Sequence, residues 1–600
     1  MKLINYICAF GICVGSSSCV DMLDRFPLDK ISPETYYTSA DELRSATNKF
    51  YTLFPAASVG YAESFDIVCT FNLRDEVKGT RTIPTSGGGW NFSMLRDINF
   101  YLEHSSNCSD ADARKEYDGV ARFFRAIFYF EKVKRFGEVP YYDKVLGSTD
   151  AELTKPRDSR DFVMTKVLED VDYAIKNLPE KKDLYRVTHW TALALKSRIC
   201  LFEGTYRKYH GLENWQFYLD ECVKASDELM TKSGYKIYKS GNTPYQDLFA
   251  SMNAIADEVI IARDYDKGKG VVHDANYNTM STTYGRPGLN KKIVNSYLMT
   301  DGSRFTDRAD YNTATYYEEK QNRDPRLTQT VIGPGYMRIN EDKLTSPSLE
   351  FSTTGYQIIK WVTDASGDGY QGSSNDYIIF RYAEVLLNYA EAKAELGTLT
   401  QDDLNRSIYW LRDRVGMSNI DMAEANKNPD PYLTDIENGG YKNVEGANKG
   451  VILEIRRERT IELLLEGFRY SDLLRWKEGK VFEKPFLGLY VPELTEGSGE
   501  NRYIVLDMND GQISDREKVD ICIYQGTKPK VKNVRKFYKL GVDLELTNGT
   551  SGNILVHDIR KEPRSWNEDR DYLYPIPTEE RLLSNGALTQ NPGWNDGLNF

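Results

Sequence analysis

The chain has 600 residues, 40% of them hydrophobic and 28% charged, with a net charge of −12 at pH 7. That balance excludes a fibrous or disordered chain, and the length allows a large buried core. No concentrated stripe of Lys and Arg occurs, so the counterion release that drives nucleic-acid binding is missing and nucleic acid is not an expected partner.

The first element is N-terminal. Lys2 and an apolar run from Leu3 to Val14 lead through Ser16, Ser17 and Ser18 into Cys19. A basic start, about a dozen apolar residues and small residues before a cut make a secretory signal peptide over residues 1–18, too short to span a bilayer. Cleavage there leaves the Cys19 thiol at the mature N-terminus, where it can carry a lipid. Several acyl chains on one cysteine anchor durably where a single chain does not. Ser16 departs from the Leu usual in bacterial lipoboxes; the alternative is an ordinary secreted protein. No later apolar run reaches membrane length, so the lipid is the only expected membrane attachment. Cys69, Cys108, Cys200, Cys222 and Cys522 remain, an odd and scattered set that makes no disulfide framework.

Helical periodicity follows. Residues 41–54 fit a helix capped by Asp41. In KEYDGVARFFRAIFYFEKVKRFG, Val120, Phe124, Ile127 and Phe128 recur every three or four residues and Gly137 stands at the C-cap. RDFVMTKVLEDVDYAIKNLP, then HWTALALKSRICLFEG behind the cap Thr188, then NWQFYLDECVKASDELM complete a series of four helices that short loops make antiparallel neighbours. Ala192, Ala194 and Ala225 permit the close approach of helix-pair repeats, although no regular 34-residue period is visible. Residues 236–374 are rich in Gly, Asn, Thr and Tyr, with EVIIARDY and YQIIKWV as short candidate strands, and read as a loop-rich surface on a helical frame. Helices resume in NDYIIFRYAEVLLNYAEAKAELG, DDLNRSIYWLRDRVG and VILEIRRERTIELLLEGFRYSDLLRW, and after Trp476 the pattern dissolves into turns and short strands. The chain therefore reads as one discontinuous helical domain. Its parts are the signal (1–18), anchor and tether (19–40), a first helical region (41–235), the loop-rich insertion (236–374), a second helical-pair region (375–480) and an irregular C-terminal region (481–600).

Six segments in order give the chain a family resemblance: CVDMLDRFP from Cys19, ARFFRAIFYFEKVKRFGEVPYY from Ala121, VTHWTALALKSRICLFEG from Val187, FRYAEVLLNYAEA from Phe380, RRERTIELLLEGFRYSDLLRW from Arg456, and YLYPIPTEERLLSNGALTQNPGWN from Tyr572. It resembles the SusD/RagB family of outer-membrane nutrient-binding lipoproteins of Bacteroidota from Cys19 to the C-terminus. The resemblance implies a mainly α fold of tetratricopeptide-like helical pairs with large loop-rich insertions. It also implies a surface-exposed, lipid-anchored place at the outer membrane and a SusC-like TonB-dependent transporter as partner. The expected function is capture of oligosaccharides for that transporter, with peptide capture as the alternative and a glycan-cleaving enzyme or a purely structural subunit as rivals.

Motifs for chemistry fail on their context. Gly367, Gly369 and Gly372 spell GxGxxG without a βαβ unit around them, so no cofactor is expected. Asp364, Ser366, Asp368 and Gly369 fit half of a calcium loop, but Asn375 stands where the bidentate Glu belongs, and no metal is expected. His104, His189, His210, His273 and His557 never fall at i, i+4. Glu384, Glu391, Glu458, Glu462 and Glu466 lie at helical spacings among arginines and read as ion pairs between packed helices. Asp66, Asp75 and Glu76 are the least implausible carboxylates for glycan cleavage.

Ligand-binding candidates lie on loops. In TSGGGWNF, three glycines present Trp90, an indole that is costly to expose unless a sugar ring stacks on it. Asn91, Arg74, Asp75 and Arg81 supply hydrogen-bonding groups nearby, in a loop region where the family often places its binding aromatic. Tyr277 and Tyr284 offer a second wall. The alternative for Trp90 is a hydrophobic staple on a helix beginning at Phe92.

Overall fold

Local signals set the helix limits in the computed structural model, which describes residues 36–57, 63–509, 520–532 and 534–600. The expected signal sequence and the expected anchor at Cys19 lie outside the described residues. Helix α1 (Ala40–Thr47) is capped by Ser39, which accepts from the Glu42 N–H, and not by Asp41. After α2 (Ser93–His104), the long α3 (Ala111–Phe136) starts where Asp110 accepts two backbone N–H groups. Thr188 and Thr191 form a reciprocal capping box at the head of α5 (His189–His210). α3 packs on α4 (Arg160–Asn177), and α5 on α6 (Trp215–Lys232). Ala192, Ala194 and Ala225 are all buried between these pairs. Helix takes 41% of the described residues, which makes the fold mainly α.

The loop-rich stretch returns to the frame through strands. Four short strands make two antiparallel pairs: β1 (Val68–Cys69) with β3 (Gly288–Leu289), and β2 (Val259–Arg263) with β4 (Tyr377–Arg381). The run YIIFR is buried at every position, so it forms a strand where helical periodicity had extended the next helix over it. That helix, α7 (Tyr382–Leu396), begins one residue later and packs on α6 and on α8 (Lys449–Glu462). YQIIKWV forms only isolated bridges and turns at Trp361, whose φ is +75°.

The last helical run is broken between α8 and α9 (Arg469–Arg475). Leu465 adopts φ +67°, and the buried Glu63 carboxylate accepts the N–H groups of Leu465, Gly467 (2.8 Å) and Phe468 (3.0 Å). A remote side chain thus satisfies donors that a continuing helix would have used. Beyond α9, strands Phe486–Val491 and Gly552–Val556 pair antiparallel, and Glu496–Ser498, Asn501–Leu506, Ile521–Tyr524 and Lys536–Lys539 form a mixed sheet.

Charge holds the centre. Glu462 on α8 bonds Arg381 (2.7 Å), Arg414 (2.6 Å) and Arg326 (3.0 Å), and all four side chains are at most 1% exposed. Through these partners the cluster reaches Glu258, Glu466, Asp324, Glu458, Lys360 and Arg412, which sets five cations against five carboxylates. Burial alone would raise the Glu462 pKa, but Arg414, Arg381 and Arg326 outweigh it and hold the carboxyl far below its ordinary value. Glu462→Gln, which strands charge on three arginines, is expected to cost roughly 3–5 kcal/mol in urea unfolding. A carboxylate with a depressed folded pKa gives stability that is complete above its ordinary value, near 4.5, and is lost as pH falls below it. The gap between wild type and Glu462→Gln therefore shrinks when the unfolding series is repeated from pH 7 down to pH 3.

Candidate functional site

Three loops meet where β1 pairs with β3. The Phe71 N–H donates to Gly285 O at 2.7 Å, which sets residue 71 beside the turn that carries Tyr284. That turn is a γ-turn: Arg286 N–H donates to Tyr284 O at 2.9 Å across Gly285, whose φ of +71° suits glycine. Tyr277 and Tyr284, the second wall of the sequence reading, lie side by side with ring centroids 5.7 Å apart. The Tyr277 hydroxyl is hydrogen-bonded to Thr283 Oγ1 at 3.1 Å.

A third ring joins them. Tyr370 is 68% exposed and its centroid lies 5.8 Å from Tyr277. Sequence reasoning missed it because the surrounding glycines were weighed as a dinucleotide or calcium loop, and the tyrosine between them was not weighed. The structure gives that loop another task. Asp368 accepts from Arg338 Nη1 at 2.6 Å, the Asp364 carboxylate accepts from Ser366 Oγ at 2.6 Å and Asn340 Nδ2 at 3.0 Å, and Asn276 donates to the Asp364 backbone carbonyl at 2.9 Å and accepts from Thr363 N–H at 3.0 Å. The Gln371 N–H donates to Asp274 at 2.5 Å. The acidic residues are thereby engaged within the chain, and the loop is fastened on both sides of Tyr370. Among the described residues no group of three or more His, Cys, Asp or Glu side chains is arranged to hold a metal ion.

Beside these rings opens a cavity of about 740 Å³, lined by Phe71, Arg286, Thr353, His557 and Arg564 among others. Phe71 is 60% exposed at it and Tyr284 38% exposed. Large exposed rings over a concave, partly polar floor are the ordinary composition of a small-ligand surface.

The TSGGGWNF loop is placed differently from its expectation. Trp90 is 7% exposed, and its ring packs edge-on against Phe92 and Phe136, with centroids 5.4 and 4.9 Å away. Gly87, Gly88 and Gly89 all have positive φ. They do not act as a hinge: Arg135 Nε donates to Gly88 O at 2.8 Å and Lys132 Nζ to Gly89 O, strapping the loop to α3. A Cβ at Gly89 would lie 2.8 Å from Arg135 Nε, so the close approach requires glycine. The helix after Trp90 starts at Ser93 with Phe92 as its N-cap, so Trp90 packs beside the helix start, as the alternative to an exposed platform expects.

The remaining candidates separate. Arg81 is buried, paired with Asp571 at 3.0 Å and stacked on Tyr574, so it holds the C-terminal region in place. Asp75 opens the exposed helical turn Asp75–Lys78 and pairs with Lys78 at 3.0 Å. Arg74, which donates to Ser64 Oγ at 2.8 Å, and Asn91 line a second cavity of about 610 Å³. The carboxylates weighed for cleavage are engaged in turn. Asp66 is buried between Arg469 (2.6 Å) and Lys292 (2.9 Å), and Glu76 accepts from Tyr574 Oη at 2.5 Å.

Comparison with known proteins decides the family. The SusD family profile matches residues 257–594, more than half of the chain. The chain belongs to the SusD family. A second SusD-like profile, described as starch-binding associating with outer membrane, matches residues 81–201. SusD-like protein P25 of Formosa agariphila is 22% identical over 79% of this chain and 90% of its own, and a SusD-like protein of Bacteroides ovatus 24% over 77% and 80%. A SusD-like protein from Bacteroides fragilis superposes with TM-score 0.63 at 21% identity, covering 95% of this chain and 100% of its own. A SusD-like carbohydrate binding protein from the same species gives 0.64 at 19% identity, with 92% and 99% covered. SusD proteins are non-catalytic binding proteins, associated with the outer membrane. Among the described residues of this SusD chain no helix is long and apolar enough to cross a membrane.

Trp90→Ala is expected to act on stability. It removes a buried indole and leaves a cavity, so a loss of roughly 3–5 kcal/mol in chemical denaturation is predicted. An unchanged unfolding midpoint would return Trp90 to the list of exposed platforms.

Proposed function

We propose that this SusD protein captures oligosaccharides on the surface made by Tyr277, Tyr284 and Tyr370 and passes them to a SusC-like TonB-dependent outer-membrane transporter. The lipid on Cys19 holds it at the cell surface beside that partner. The observation that carries the reading is the grouping of Tyr277, Tyr284 and the exposed Tyr370 beside a cavity that Phe71 and Arg286 line. Pyranose rings present axial C–H faces that pack on aromatic planes, and the phenol hydroxyls with Arg286 and Thr353 can bond sugar hydroxyls. The likeness to a SusD-like carbohydrate binding protein of Bacteroides fragilis supports the same ligand class. The match to a starch-binding, outer-membrane-associating family over residues 81–201 supports the location.

A glycan-array screen followed by titration calorimetry tests the ligand class. Tyr284→Ala and Tyr370→Ala are each expected to weaken binding about tenfold, close to 1.4 kcal/mol, because each removes one stacking face. Neither ring is buried, so unfolding midpoints should not move. Undiminished binding in both variants would relocate the site, and a positive response confined to peptides would replace the glycan by a peptide. Affinity purification from outer membranes is expected to bring the transporter with the protein, and Cys19→Ala to release the protein from the membrane fraction.

A further inference from the structure

The second cavity shares segment 71–78 with the first. Arg74 and Glu76 line it, whereas Phe71, Leu73 and Lys78 line the other. Its charges do not balance. Four cations, Arg74, Lys132, Lys134 and Arg135, face two carboxylates, Glu76 and Glu131. Both carboxylates are already engaged: Glu131 pairs with Lys134 at 2.9 Å and Glu76 accepts from Tyr574. Lys132 and Arg135, one turn apart on α3, form no salt bridge among the described residues and donate instead to the carbonyls of Gly89 and Gly88.

Lys132 is the telling residue, because it is only 8% exposed. Holding a carbonyl needs no more than a neutral donor, whereas burying an ammonium without a counter-charge is costly. The Phe92 and Phe128 rings, 5.1 and 5.0 Å from Nζ, offset part of that cost. Burial, with Arg135 nearby, lowers the Lys132 pKa to about 8, so the group still carries charge at neutral pH. Arg135 stacks 3.6 Å over the Tyr574 ring, which fixes its guanidinium at the cavity wall. In a chain of net charge −12, Lys132 and Arg135 thus stand at a cavity open to solvent with no carboxylate in salt-bridge reach of either among the described residues.

We infer that this cavity binds the anionic group, carboxylate or sulfate, of a small polar ligand between Lys132 and Arg135, with Arg74 at its rim. The site is separate from the tyrosine surface and does not rely on what binds there. Calorimetric titration of the detergent-solubilised full chain with digalacturonate, galactose 6-sulfate and neutral galactobiose tests it, with the two charged probes distinguishing carboxylate from sulfate. At least one charged probe is expected to bind ten or more times tighter than galactobiose, and inorganic sulfate to compete with it. Lys132→Met is expected to erase that preference and Lys132→Arg to keep it. Arg74→Gln, on the cavity rim, is expected to reduce it several-fold, a readout that stands even if Lys132→Met fails to fold. Equal affinities for charged and neutral probes, no binding by either charged probe, or a preference that survives in Lys132→Met and Arg74→Gln alike would overturn the inference. A preference abolished by Tyr284→Ala would overturn it too, by placing the anion on the tyrosine surface.

Discussion

The buried charge cluster around Glu462 is the constraint on which the rest of the architecture rests. One carboxylate, fully inside the protein, is held by arginines from three separate places in the chain: Arg326 in the loop-rich stretch, Arg381 at the end of β4, and Arg414 after α7. Low-dielectric surroundings make each missing partner expensive, so the elements that carry these arginines must arrive together or not at all. Apolar packing among helices tolerates sliding; a multiply bonded carboxylate fixes register and direction. The cluster is therefore a device for specificity as well as stability, joining α8 to strands and loops that local periodicity does not place.

The tyrosine surface inherits its position from that frame. Arg469, at the head of α9, and Lys292 grip Asp66, while Glu63 occupies the turn between α8 and α9. Those contacts hold residues 63–69 against the helical core, and β1, within that segment, pairs with β3 to set Phe71 against the Tyr284 turn. The segment that leads to Phe71 thus starts from charged anchor points on the frame. Short, well-fastened loops lower the ordering cost of binding, which suits a surface of few, large aromatic contacts.

The helical frame was legible in sequence because amphipathic spacing and caps are local signals: α3, α4, α5 and α6 follow from periodicity together with Gly137, Pro179 and Thr188. Two errors share one cause, since YIIFR and the α8–α9 junction look helical until distant partners are known. β2 claims the first by pairing, and Glu63, some 400 residues away, claims the second by bonding its backbone. The candidate site was legible in part: Tyr277 and Tyr284, singled out in sequence as a second wall, do lie side by side. Trp90 was misplaced because glycines before an aromatic are read as freedom, whereas here they admit Lys132 and Arg135 from α3, a contact no local pattern announces. Tyr370 was missed because it reaches Tyr277 only through a fold-dependent juxtaposition.

The central claim is that a rigid helical, ion-paired frame presents the tyrosine cluster as the glycan-capturing surface. A crystal structure of the protein with an oligosaccharide identified by array screening tests it most directly. The account predicts a sugar ring stacked on Tyr284 or Tyr370, with the rings and the frame unmoved from their positions here. Oligosaccharide density elsewhere, for instance on the exposed Tyr409 and Trp410 pair, with Tyr277, Tyr284 and Tyr370 bare, would contradict it.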